Sequence, residues 1–206
     1  MKNKTTGVYS EREMKMMTFF HDAKNVIFKP LLVALTKLKI SANVLSVGGG
    51  VVAVLSLVAS FYWSEPLYFI IGVWVHMFFD GIDGSVARFQ NKSCTFGSYV
   101  DCIFDHVGII SAAIFAYYFL DIGFLPILMY SVLYTHIIFA SFVLGQIGDP
   151  YKYLLRPRLI FYAAITIDLL WSTSSTLIVT WILVALMSLN TLEGVYRLGK
   201  YVKREM

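Results

Sequence analysis

The chain has 206 residues, 58% of them apolar and 15% charged, with a mean hydropathy of +0.69 and a formal net charge of +4. An ordinary soluble domain is ~45–50% apolar and ~25% charged, so a water-facing surface cannot carry this apolar excess. The excess is also clumped: residues 40–64, 122–148 and 169–192 contain no Asp, Glu, Lys or Arg. A helix needs roughly 20 such residues to cross the hydrocarbon core. Composition therefore excludes a soluble domain and predicts an all-α, polytopic membrane protein, with no nucleic-acid partner expected.

Taken in chain order, the N-terminal MKNKTTGVYSEREMK has no apolar h-region, so the first true span is expected to act as the insertion signal. Residues 14–38 repeat apolar groups at helical spacing (Met16, Phe19 and Phe20, Ala23, Val26 and Ile27, Leu31, Leu35, Leu38), with Pro30 expected to break the run. This pattern predicts an amphipathic helix lying in the cytoplasmic interface; a soluble docking helix is the plainer alternative. Residues 1–39 are thus expected to form a cytoplasmic N-terminus, and residues 40–206 one membrane domain.

Six spans are predicted, at about 43–63, 67–88, 97–120, 123–146, 157–172 and 174–196, by the length a crossing helix needs. Pro66 and Pro126 stand near the starts of the second and fourth, where a missing N–H is tolerated. The fifth is the shortest and carries Asp168 near one end. With both termini cytoplasmic, all 17 Lys and Arg residues fall on one side. They comprise eight before the first span, Arg88 and Lys92 in the second-to-third loop, Lys152, Arg156 and Arg158 in the fourth-to-fifth loop, and Arg197, Lys200, Lys203 and Arg204 in the tail. This is the positive-inside rule, and it requires the fifth span. Cys94 and Cys102 cannot make a disulfide framework. The Asn3 and Asn91 sequons face the cytosol and are accidental matches.

The chemistry is concentrated in residues 79–106, FDGIDGSVARFQNKSCTFGSYVDCIFDH. Asp80 and Asp83 sit three apart near the end of the second span; Asp101 and Asp105 sit four apart near the start of the third. Each pair shares a helix face, and ionisable groups within a span are costly and default to function. In an antiparallel pair, Asp83 and Asp101 lie ~9 residues from the loop centre and Asp80 and Asp105 ~12, so the four stack in two layers about one turn apart. Acids this close cannot all ionise without cations. An all-oxygen ligand set suits Mg²⁺, Mn²⁺ or Ca²⁺, and a pair of ions about 3.5–4 Å apart uses four carboxylates naturally. Gly84, Ala87 and Gly97 leave room beside the acids for a flat ligand such as a nucleotide base. Tight helix packing is the other reading of those small residues, but it leaves the acids unexplained.

Asp80-x2-Asp83-Gly84-x2-Ala87-Arg88-x8-Gly97-x3-Asp101-x3-Asp105 resembles the full signature of the CDP-alcohol phosphotransferase family. Eight fixed positions, each matched by chance about one time in twenty, make accident negligible. KISANVLSVGG at 39–49 is similar to the family's opening of its first span around an Asn, here Asn43, preceded by Ala42 where many members carry Pro.

The resemblance implies an enzyme that moves a phosphoalkyl group from a CDP-linked lipid to the hydroxyl of a small polar alcohol, releasing CMP. It implies Asp80, Asp83, Asp101 and Asp105 as holders of two Mg²⁺ ions (Mn²⁺ as substitute), with Asp105 also the general base. Asn43, Gly84, Ala87 and Gly97 would shape the CDP site, with Arg88 contacting phosphate or fixing the loop. It further implies a homodimer in the cell membrane or endoplasmic reticulum, working at the cytoplasmic face. Lys152, Arg156, Arg158 and Arg197 suit a phosphorylated acceptor such as glycerol phosphate or inositol phosphate; their alternative role is topological only. A neutral or zwitterionic acceptor such as serine would not need them all, and Glu193 would then read an amine or pair with Arg197 at i, i+4. His76, His106 and His136 are read as hydrogen-bonded packing groups rather than ligands. From another class, a divalent-cation transporter would also keep buried acids, but near the midplane on broken helices rather than at one rim. A family member that has lost activity and only scaffolds other subunits is a further rival, against which the intact Asp set argues.

Overall fold

A computed structural model describes residues 27–151 and 153–205 of the chain. The cytoplasmic N-terminus and most of the expected amphipathic helix, residues 1–26, lie outside the described residues, as does Lys152. The described part is all helical: α1 (Lys29–Lys37), α2 (Ala42–Trp63), α3 (Leu67–Phe89), α4 (Thr95–Phe119), α5 (Phe124–Gln146), α6 (Arg158–Trp171) and α7 (Ser175–Glu205). Five of these, α2 to α5 and α7, are long and apolar enough to cross a membrane, with mean hydropathies of 1.3 to 2.2 over their best windows. The helix at the fifth expected span, α6, has 14 residues. It rises only about 21 Å, less than the ~30 Å hydrocarbon core.

Among the described residues the chain divides into two compact units, one running to Phe115 and one from Ala116 onward. In the first, α2 and α3 form an antiparallel hairpin. Ser41 caps α2, its hydroxyl accepting the Val44 N–H at 3.4 Å. Ser64 ends it in the left-handed region at φ 54°. The turn is tied down by Ser60, whose Oγ accepts the Phe69 N–H at 2.9 Å while donating to the Ser56 carbonyl at 3.0 Å. Lipid tails are as apolar as leucine, so helices in a bilayer associate through close packing rather than through the hydrophobic effect. The hairpin meets that demand with glycine. A Cβ on Gly72 would run into Ser56, and one on Gly49 would meet His76 Nδ1 at 3.1 Å and Phe79 Cβ at 3.3 Å. Phe69 of α3 stacks on Phe115 of α4 at 4.4 Å.

The helical run breaks at Phe28, and Pro30 stands in the first turn of α1, where its fixed φ suits a helix start and its missing N–H has no partner to lose. Leu32 and Leu35 of α1 then bury against Leu45, Ile82 and Val86. This anchors α1 to the ends of α2 and α3 nearest the four carboxylates. Gln90 reinforces the join, its Nε2 donating to the Ile40 carbonyl at 2.8 Å.

In the second unit α7 packs on both α5 and α6. Tyr130 of α5 stacks on Phe161 of α6 at 4.3 Å. The loop after α5 folds back on α7: Tyr151 is buried with Ala140 and Leu144, and its Oη donates to the Asn190 carbonyl at 3.1 Å. Burial and the Glu193 carboxylate push the Tyr151 phenol up to about 12, against the opposing pull of Arg197. Asp168, the acid that stood out in the fifth span, is buried and accepts four hydrogen bonds across the α6–α7 corner. They come from Thr173 Oγ1 at 2.5 Å, the Ser175 amide and hydroxyl at 2.7 and 2.6 Å, and the Thr176 amide at 2.8 Å. The carboxylate satisfies the first amides of α7, which its own helix cannot, and suits the positive end of the helix dipole.

Candidate active site

The end of α3 and the start of α4 carry all four signature carboxylates. Asp80, Asp101 and Asp105 converge, with one carboxylate oxygen from each lying within 4.8 Å of the others. No histidine belongs to this group among the described residues. His76 is buried one turn earlier on α3, against Gly49, and His106 is half-buried on α4. Asp83 sits beside the trio, next to Asp101. It is buried, at 5% exposure, and Ser46 of α2 donates to its Oδ2 at 2.5 Å. Carboxylate oxygens drawn from two helices, with no nitrogen or sulfur among them, are a donor set for a hard divalent cation.

Next to the acids lies a cavity of about 370 Å³. Asn43, Gly84, Ala87, Arg88 and Gly97, the five positions the sequence singles out for CDP, all line it, and Asp83 and Asp101 contribute to its wall. Ser41, Ser46, Gln90, Lys92, Ser93, Cys94 and Ser98 complete its polar surface with Ala42. Arg88 folds back along α3: its Nη1 lies 3.2 Å from where a Gly84 Cβ would be, and its Nη2 donates to Ser85 Oγ at 3.3 Å. Gly84 therefore makes room for the arginine itself as well as for the cavity. Gly97 faces Asn43, whose Oδ1 would be 3.4 Å from a Cβ at 97. Cys94 is exposed at the N-terminal end of α4, its Sγ accepting the Gly97 N–H at 3.4 Å.

This arrangement is a polar recess with one carboxylate-rich wall, of a size to take a nucleotide head group. Residues 39–195 match the family model for CDP-alcohol phosphatidyltransferases. The chain belongs to this family. It is accordingly a membrane-bound transferase of phospholipid biosynthesis, and the family is in general dependent on a divalent metal. Nothing in this membership supports the transporter alternative.

Among solved structures, the fold is similar to a crystal structure of Mycobacterium tuberculosis phosphatidylinositol phosphate synthase (PgsA1) with CDP-DAG bound. The TM-score is 0.68 with 16% sequence identity, over 82% of this chain and 92% of that one. No curated protein sequence matches the chain significantly.

Of the basic residues singled out for the acceptor, the three described ones lie in the second unit and differ in their surroundings. Arg156 is exposed in the loop before α6, and Arg158 is half-buried as the first residue of α6. Arg197 is already engaged: its Nη1 meets Asp149 at 3.0 Å and the Pro150 carbonyl at 3.2 Å, and its Nη2 meets Glu193 at 2.7 Å. His136 is half-buried on α5, with no hydrogen-bond partner for Nε2 among the described residues.

Of the cavity residues that sequence reasoning missed, Ser46 carried a usable signal. It stands three positions after Asn43 on the same helix, hence on the same face. Gln90 carried none, because its contact with Ile40 spans fifty positions.

Proposed function

We propose that this chain transfers a phosphatidyl-type group from a CDP-linked lipid to the hydroxyl of a small polar alcohol at the cytoplasmic rim of the membrane. Support comes above all from one observation: the four signature positions outside the acids, together with Asn43, line a single cavity with Asp83 and Asp101 in its wall. The structural neighbour was solved with CDP-DAG bound, which fits a donor whose tails stay in the bilayer while its head enters such a recess.

Asp80, Asp83, Asp101 and Asp105 would hold two Mg²⁺ ions, with Mn²⁺ as a substitute. Bound there, the ions would neutralise the donor pyrophosphate and stabilise charge on the transferring phosphoryl group. Asn43, Gly84, Ala87 and Gly97 would shape the cytidine site, and Arg88 would face the phosphates. Asp105 would take the proton of the acceptor hydroxyl. The acceptor oxygen bonds to the phosphatidyl phosphorus, the phosphorus–oxygen bond to CMP breaks, and CMP leaves toward the cytosol.

The membrane arrangement that suits this reading has six spans with both termini cytoplasmic, α6 serving as the short fifth. Residues 1–39 would form the cytoplasmic lead and residues 40–206 the catalytic domain. That arrangement alone keeps all 17 Lys and Arg residues on the side of the acids. A homodimer is part of the same reading. For the acceptor we favour a phosphorylated polyol, glycerol phosphate or inositol phosphate. Arg197 already answers two carboxylates, so recognition of that phosphate would fall chiefly to Lys152, Arg156 and Arg158.

The test is to offer purified protein, Mg²⁺ and CDP-diacylglycerol separately to glycerol phosphate, inositol phosphate, inositol and serine, following CMP release. Release with one of the phosphorylated polyols is expected. Release only with serine or inositol overturns the acceptor assignment, and no release with any of the four overturns the phosphatidyl-type donor.

A further inference from the structure

Ser46 lies outside the aspartate signature, yet its hydroxyl reaches the most deeply held of the four acids. It is buried at 6% exposure in the wall of the cavity. Its Oγ stands 2.5 Å from Asp83 Oδ2 on the neighbouring helix and 3.3 Å from the Ala42 carbonyl on its own. A serine inside a helix ordinarily bonds back to a carbonyl one turn earlier. A hydroxyl has one proton to give, and here the much shorter contact is to the carboxylate. Asp83 Oδ1 is turned to the Gly84 amide on its other side. One oxygen is thus held from α2 and the other from α3, which fixes the rotation of the carboxylate beside Asp101.

We propose that Ser46 is a positioning residue for cation binding, its hydroxyl locking Asp83 in the rotamer that keeps a carboxylate lone pair turned toward Asp101. The inference rests on the metal-site reading given above. A carboxylate oxygen accepting one hydrogen bond keeps a second lone pair for a cation, so the bond orients Asp83 without consuming it. Groups that orient metal ligands in this way change affinity by ~10–100-fold when removed.

The test is Mn²⁺ titration of the purified full-length protein without donor lipid, reading free Mn²⁺ by electron paramagnetic resonance. Ser46→Ala should weaken Mn²⁺ binding by about tenfold or more, while Ser46→Thr, which keeps the hydroxyl, should bind near the wild-type level. Ser46→Cys, nearly isosteric with a weaker donor, should fall between and serves if the alanine variant does not fold. In turnover assays the Mg²⁺ requirement should rise in Ser46→Ala with the acceptor KM unchanged. Wild-type affinity in both Ser46→Ala and Ser46→Cys, or equal losses in the Ala and Thr variants, would overturn the positioning role alone. A wild-type protein that binds no Mn²⁺, or an Asp101→Asn protein that binds it normally, would overturn the metal-site reading and this role together.

Discussion

Phe104 lies across Gly50, so close that a Cβ at position 50 would overlap the ring edge and stand 3.2 Å from the Phe104 Cβ. The contact joins α2 to α4 between Asp101 and Asp105, the two acids that α4 supplies. A substitution at Gly50 therefore pushes on the segment that carries half the carboxylates.

Gly50→Val is expected to destabilise the protein by about 1–3 kcal/mol, the usual cost of overpacking, and to lower turnover further by displacing Asp105. Thermal unfolding in detergent, paired with CMP release per folded molecule, measures both. Unchanged unfolding would show that Phe104 has room to turn aside.

Asp105→Asn keeps size and polarity but removes the carboxylate proposed as general base. Loss of a general base typically costs 10²–10⁴-fold in rate, so CMP release should fall by at least about a hundredfold while protein abundance stays near wild type. Retained turnover in that variant rejects the base assignment.

Cys94 gives the cavity a chemical reporter. Its thiol is exposed, lines the recess and accepts the Gly97 amide. In a Cys102→Ser background, maleimide labelling of Cys94 should slow when CDP-diacylglycerol and Mg²⁺ are present and should be unaffected by diacylglycerol alone. Equal labelling rates, read by mass spectrometry, would place the nucleotide elsewhere.

Asp168 tests the second unit by itself. Ala at this position removes the acceptor for the α7 amides at Ser175 and Thr176. Loss of a helix cap costs about 0.5–2 kcal/mol, and Asp168→Ala should lower the unfolding temperature accordingly. Activity per folded molecule should remain near wild type, since the carboxylate is occupied by the corner it caps.

Much of this molecule is legible in its sequence, because a bilayer makes span length and charge placement strict. α2 to α5 begin and end within two residues of where hydropathy puts them. α7 runs nine residues further, to Glu205, because its basic last turns leave the apolar pattern without leaving the helix. The convergence of Asp80, Asp101 and Asp105 follows from antiparallel pairing of two helices with acids at matched depth. What could not be read is side-chain traffic between distant positions. The Ser46–Asp83 bond spans 37 residues and the Arg197–Asp149 pair 48, and neither serine nor a loop aspartate announces such a partner. Arg197 shows the division: its i, i+4 pair with Glu193 follows from the spacing, whereas its bond to Asp149 does not.

The bonds around Asp168 have a consequence for how the chain enters the membrane. All four partners lie within eight positions of the acid, so closing the corner requires almost no loop-closure entropy and no contact with any other helix. The turn can form as soon as its residues leave the ribosome, without first docking on α5. An ionised side chain that would otherwise resist transfer into lipid then arrives already saturated with donors. The α6–α7 hairpin carries its own hydrogen-bond donors for the buried Asp168, and can insert as a finished piece.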